Sequence, residues 1–265
     1  MSRRLTRVLP AVAVAAVVLA PLGAASAQTD HARVTVGSPA TSSETRVDPT
    51  VVPSRLKGKV WTRLPTQRKV VALTFDCGAG AGGMRSILST LKSKGVTRAT
   101  FFMTGTWVGL FPKMAQRVAK LGYTIGSHSM THPDFTTLTA KGVAGELSRA
   151  EKAITSTTGV SPRPWFRFPY GAYNGRTLKQ VNGLGWVAIG WTVDSLGWEG
   201  TSGGQSVGSV VTRVTHASVP GEIVLMHVGA NPQDHSTLDA DALPSIIARL
   251  RHKGYHFVSI ASLLR

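Results

Sequence analysis

The chain has 265 residues, a formal charge of +17, 42% hydrophobic residues and a single cysteine. One cysteine excludes an intramolecular disulfide framework, so stability rests on an ordinary apolar core, and there is enough chain for one domain. The positive surplus favours polyanionic surroundings such as an acidic cell wall. With no dense Lys/Arg block, zinc-finger spacing or recognition-helix signature, nucleic acid is not an expected partner.

At the N-terminus, Arg3, Arg4 and Arg7 precede an apolar run over residues 8–22, and Ala25-Ser26-Ala27 follows as a small-x-small cleavage site. This pattern predicts a signal peptide over residues 1–27, and a protein that is secreted or cell-wall associated after cleavage near Ala27. Pro10 and Pro21 interrupt an already short run, so no permanent membrane span is expected. Removing these residues takes away three arginines and no acids, leaving 27 basic against 13 acidic side chains, a charge of +14. Residues 28–68, rich in Ser, Thr, Val and Pro without a sustained period, read as a linker.

From Lys69 onward, short apolar runs alternate with helical patterns that end in glycine. Strands are predicted at 70–75, 99–103, 123–126, 165–168, 186–193, 222–226 and 255–260. The intervening helices fall near 84–94, 112–121, 142–158, 176–184, 206–217 and 242–252. Strands that are apolar on both faces are parallel strands covered by helices, and right-handed crossovers wind them into a barrel or an open doubly wound sheet. The expected fold is α/β, a distorted (β/α) barrel of about seven parallel strands in a single domain over residues 69–265.

In such folds chemistry collects where strands end. Asp76, His128, His132, Arg167, Asp194 and His227 occupy such places, in a chain with only eight Asp and five Glu. Each residue taken alone is a weak signal. The His128-x3-His132 pair need bind nothing, and Ser129 stands where a zincin helix requires glutamate. Asp76 alone could cap a strand, and His227 alone could be a satisfied core histidine. Their convergence on one rim is the informative feature. His31, His216, His235, His252 and His256 are assigned no role, and Trp107 and Trp191 are read as core or cleft wall.

The set Thr74-Phe75-Asp76, His128-Ser129-Met130-Thr131-His132, Arg167-Phe168-Pro169-Tyr170, Asp194-Ser195-Leu196-Gly197-Trp198 and Leu225-Met226-His227 resembles the polysaccharide deacetylases, the NodB-homology group or carbohydrate esterase family four. The resemblance covers residues 69–265 and implies a distorted (β/α) barrel. It implies Asp76 as general base, His128 and His132 as ligands of a divalent metal, usually zinc, and Arg167 as the holder of the base. It further implies Asp194 as the partner that tunes His227, with His227 as general acid. The Tyr170 backbone N–H becomes an oxyanion donor, and Trp198 and Leu225 line the acetyl pocket. Cys77 departs from the family's pattern, because an aspartate there is the usual third metal ligand; the thiol is a possible metal ligand in its place.

Amide hydrolysis needs a nucleophile, an oxyanion site and a proton for a poor leaving amine, which such a set can supply. The expected activity is metal-dependent removal of N-acetyl groups from an amino-sugar polymer, a carbohydrate partner. Peptidoglycan is expected ahead of chitin or chitooligosaccharide. An acetylxylan esterase, or a non-catalytic wall-binding pseudoenzyme that lost its metal through Cys77, are the alternatives.

Overall fold

A computed structural model describes residues 52–216 and 218–264. The expected signal peptide, and the expected linker up to residue 51, lie outside the described residues. Among the described residues no helix is long and apolar enough to cross a membrane.

A short 3-10 turn, Ser54–Leu56, precedes β1 (Val70–Cys77), α1 (Met84–Ser93), β2 (Thr100–Met103), α2 (Gly105–Leu110), α3 (Pro112–Lys120) and β3 (Thr124–Ser127). Then come α4 (Ala140–Thr158), β4 (Trp165–Phe166), α5 (Gly175–Gly183), β5 (Val187–Ala188) and β6 (Val193–Asp194). The chain ends with α6 (Val207–Thr215), β7 (Glu222–His227), α7 (Leu238–His252) and β8 (His256–Val258). Local chemistry accounts for the helix ends. Thr139 caps α4 by accepting the Gly142 N–H, and Asn174 and Thr177 form a reciprocal capping box on α5.

The sheet is wholly parallel, in the order β5-β4-β3-β2-β1-β7-β6, with β8 pairing the start of β1. Two of its features differ from the sequence expectation. The strand expected over 186–193 is two strands, and they sit at opposite ends of the sheet. Only four residues separate Ala188 from Val193, a reach of at most about 18 Å, so the sheet must curl until its ends approach one another. The backbone explains the break: Ile189 N–H donates to Phe166, whereas Thr192 N–H donates to Ile223 on the far edge.

The second difference concerns residues 52–68, which composition placed in the linker. They pack on the domain and close the seam. Trp61 N–H donates to Ala188, Gly190 N–H to Trp61, and Leu64 N–H to Gly221. Leu56, Trp61 and Leu64 are buried with Val187, Ile189 and Ile223. Three large apolar side chains in these seventeen residues are a core signal that the Ser/Thr/Pro content masked.

Strand alternation sorts the side chains of β1. Val71, Leu73, Phe75 and Cys77 join the main core beneath the helices, with Leu88, Ile246 and Leu250. Val70 and Ala72 belong to the barrel interior, so Thr74 and Asp76 point inward too. Pairing places His227 of β7 directly beside Asp76, and Leu225 beside Thr74, on this inward face.

Trp61 anchors the seam segment: it is 8% exposed, and its indole N–H donates to the Leu56 carbonyl. Trp61→Ala should cost about 3–5 kcal/mol of stability by cavity formation, read as a lowered urea midpoint at unchanged slope.

Candidate active site

Arg167 follows β4 and is fully buried. Its guanidinium donates to Asp76 Oδ1 at 2.7 Å, Thr74 Oγ1 at 2.8 Å and the Gly190 carbonyl at 3.0 Å. It lies 4.3 Å from the centre of the Phe102 ring. That ring occupies the space above Gly126, where an added Cβ would stand 2.5 Å from it. Burial pushes the Asp76 carboxyl up, but Arg167, His128 and His227 together hold it below the usual aspartate value. Asp76 is therefore ionised at neutral pH, as a base must be.

The segment after β3 turns sharply at Ser129 (φ 70°) and His132 (φ 63°), which brings both imidazoles to one place. His128 Nε2 stands 3.3 Å from Asp76 Oδ2 and 3.1 Å from His132 Nε2. His128 Nδ1 faces the Arg167 carbonyl at 2.9 Å. A carbonyl can only accept, so Nδ1 carries the proton and Nε2 keeps its lone pair. Burial, reinforced by His128, pushes the His132 pKa down to about 4, and burial lowers that of His128 as well. Both rings are neutral near pH 7.

Two neutral imidazoles with facing Nε2 atoms beside a carboxylate fit a divalent cation. Among the described residues no set of three or more His, Cys, Asp or Glu side chains is arranged to hold a metal. A cation here would be held by the two imidazoles of His128 and His132.

Cys77 does not join them. Its thiol is fully buried in the main core, 3.9 Å from the Phe75 carbonyl, and burial raises its pKa well above the usual thiol value. The possible ligand role is not realised here: β1 continues through residue 77, so the thiol faces the helix-covered core, away from the side of the strand that carries Asp76.

His227 ends β7 at the same rim. Burial alone would lower its pKa, but Asp239, Asp76 and Asp194 outweigh that and raise it. The carboxylate in contact with His227 is Asp239, from the first turn of α7; Asp194, the partner that the resemblance implied, also raises the His227 pKa. Asp194 accepts the Leu196 N–H at 2.9 Å and acts on His227 from farther away. Asp239 escaped the sequence reading because α7 was expected to start at residue 242. Its acidic first turn, Asp239 and Asp241, was the available signal.

Tyr170 takes a left-handed conformation (φ 58°), and its exposed ring meets His132 edge-on at 4.5 Å. Trp198, half exposed, lies 6.4 Å from the His227 ring on the other side, and Leu225 is buried on the inward face. Trp107 is core, with its indole N–H on the Gly80 carbonyl.

A second carboxylate missed in the sequence is Glu146, buried on α4. It accepts the N–H groups of Met130 (2.9 Å) and Thr131 (2.8 Å) and the Thr131 hydroxyl (3.0 Å). These bonds hold the turn between the two histidines. In the sequence nothing local to Glu146 marks it as a partner of a loop fifteen residues earlier.

Cys77→Ser should leave metal affinity within about twofold, and alkylation of the thiol in folded protein should be slow with or without zinc; measured zinc affinity checks this. Glu146→Ala should leave both loop N–H groups without their acceptor, at a cost of about 1–3 kcal/mol, measured by thermal denaturation. It should also weaken metal binding more than Cys77→Ser does.

Residues 63–189 match the family model described as polysaccharide deacetylase. The chain is 31% identical over 201 residues to a peptidoglycan-N-acetylglucosamine deacetylase of Bacillus cereus, spanning 76% of this chain and 70% of that protein. It is 32% identical over 201 residues to the peptidoglycan-N-acetylmuramic acid deacetylase PdaA of Bacillus subtilis, spanning 75% and 73%. Among solved structures, PdaA superposes with a TM-score of 0.70 at 30% identity over 77% of this chain and 84% of that one. A pseudoenzyme of carbohydrate esterase family four from Bacillus anthracis gives 0.69 at 28% identity, over 77% and 68%. With fold, rim residues and relatives in agreement, the chain belongs to the polysaccharide deacetylase family, hydrolases of non-peptide carbon–nitrogen bonds.

Proposed function

We propose that the protein removes N-acetyl groups from peptidoglycan outside the cytoplasm, with a divalent metal, zinc, held by His128 and His132. The observation that carries this reading is the cluster at the rim, where Arg167, Asp76, His128 and His132 meet within hydrogen-bonding distances beside His227. The named activities of the bacterial relatives support the substrate, and the basic mature chain suits an anionic wall. Export rests on the N-terminal pattern of residues 1–27.

When bound, such an ion polarises the acetyl carbonyl and acidifies water. The chain's own residues do the rest. Asp76, kept ionised by Arg167, takes the proton from the attacking water at Oδ2, the oxygen that Arg167 leaves free. The Tyr170 backbone N–H donates to the developing oxyanion. His227, whose pKa is raised by its carboxylate neighbours, delivers a proton to the departing amine. Trp198 and Leu225 flank the acetyl methyl.

A second reading has its own support. No third protein ligand completes the metal site among the described residues, and one similar structure is a pseudoenzyme. In that case the cleft binds wall polymer without cleaving it.

The deciding experiment is acetate release from peptidoglycan, chitooligosaccharide and acetylxylan, after chelation and after zinc is restored. Release from peptidoglycan that chelation removes and zinc restores is expected. Asp76→Asn should lower it by roughly 10²–10⁴ with metal content unchanged. Release from acetylxylan alone would replace the substrate. Polymer binding with no release from any of the three would establish the second reading.

A further inference from the structure

Asp239 is 3% exposed on the first turn of α7, a position where most acids face water. Its Oδ2 accepts the backbone N–H of His227 at 2.7 Å and lies 3.6 Å from the same residue's Nδ1. That second distance is too long for a hydrogen bond but suits an ion pair. Two buried polar atoms here lack partners, His227 Nδ1 and Asp239 Oδ1. A small rotation of the ring lets a proton on Nδ1 satisfy the first of them.

The neighbouring turn is shaped around this carboxylate. At Gly197 an added Cβ would stand 2.4 Å from Asp239 Oδ1, 2.6 Å from its Cγ and 3.0 Å from its backbone nitrogen. Gly197 is not in the left-handed region, so its backbone would accept other residues. Space for Asp239 is what a side chain there would remove.

We propose that Asp239, reaching in from α7, is the residue that positions the His227 imidazole and keeps a proton on its Nδ1, and that Gly197 is glycine to admit that carboxylate. This rests on the reading of His227 as the general acid. With the Nδ1 edge held toward α7, Nε2 is the edge left for a substrate. Asp239 touches neither substrate nor water in the reaction and acts through His227 alone. The other charged and titratable groups facing His227 are Asp76 on β1, Asp194 on β6, and the imidazoles of His128 and His132. The assignment therefore needs a comparison between carboxylates.

The full chain, as wild type and as Asp239→Asn, Asp194→Asn and Gly197→Ala, is titrated by imidazole NMR with the His227 resonance assigned. Asparagine keeps an acceptor for the His227 N–H, so the fold survives while the charge goes. Asp239→Asn should lower the His227 midpoint by about one pH unit, and by more than Asp194→Asn does. The alkaline limb of the kcat profile should move to lower pH by the same amount, with KM little changed. A purely structural Asp239 would move neither the midpoint nor the limb. Gly197→Ala removes no charge, yet should lower kcat at alkaline pH as Asp239→Asn does, and the double variant should be no worse than either alone. An unmoved midpoint in Asp239→Asn, a larger shift from Asp194→Asn, or wild-type kcat in Gly197→Ala each overturns the proposal. Should the wild type release no acetate from any polymer, the deacetylase reading fails by itself, and the NMR titration still decides the role of Asp239.

Discussion

The buried pair of Asp76 and Arg167 is the constraint on which the rest of the site depends. An arginine with no exposure must find acceptors for its donors, and here they come from two other parts of the barrel. Asp76 and Thr74 belong to β1, Arg167 follows β4, and the carbonyls of Ile189 and Gly190 lie on the seam between the sheet ends. Leaving either charge of such a pair unpaired costs about 3–5 kcal/mol. Strand order is thereby tied to chemistry: the interaction that keeps the base ionised also fixes the distance between strands that are not neighbours. His128 joins this arrangement through its own bond to the Arg167 carbonyl, so one residue orients both Asp76 and the His128 ring.

Much of this was legible in the sequence because strands announce themselves by composition, and a parallel barrel puts its chemistry at strand ends. Asp76, His128, His132, Arg167 and His227 were all found in this way, and the structure gathers them at one rim. What escaped depends on distant parts of the chain. The run over 186–193 is apolar apart from Gly190 and Thr192, too faint a signal to mark the point where β5 leaves one edge of the sheet and β6 joins the other. Only hydrogen bonds to Phe166 and Ile223 reveal the break. Likewise Trp61 and Leu64 count as core only once the curled sheet supplies a seam for them.

The cysteine shows how motif and geometry can diverge. By position in the motif, Cys77 stands at a ligand site; by parity on an extended strand it belongs to the helix-covered face. Once β1 runs regularly to residue 77, a thiol there adds to the apolar core and nothing to the cleft. Glu146 and Asp239 diverge in the opposite direction. Neither lies in a motif, and both are carboxylates drawn from helices into the barrel rim, where each holds a histidine segment in place. Helices α4 and α7 thus supply precision to residues that the strands only deliver approximately.

The seam has a consequence for how the domain assembles. Residues 61–64 bridge Ala188 on one sheet edge and Gly221 and Glu222 near the other, contacts well over a hundred residues apart in the chain. Such closure carries a large loop entropy and gains its contacts only after both sheet edges exist. The segment is therefore a late-folding latch, since the strands it bridges can pair beforehand and it cannot dock without them. Loss of the latch uncovers the apolar residues at the gap between the sheet ends, Val187, Ile189 and Ile223, so the barrel does not tolerate shortening at this place.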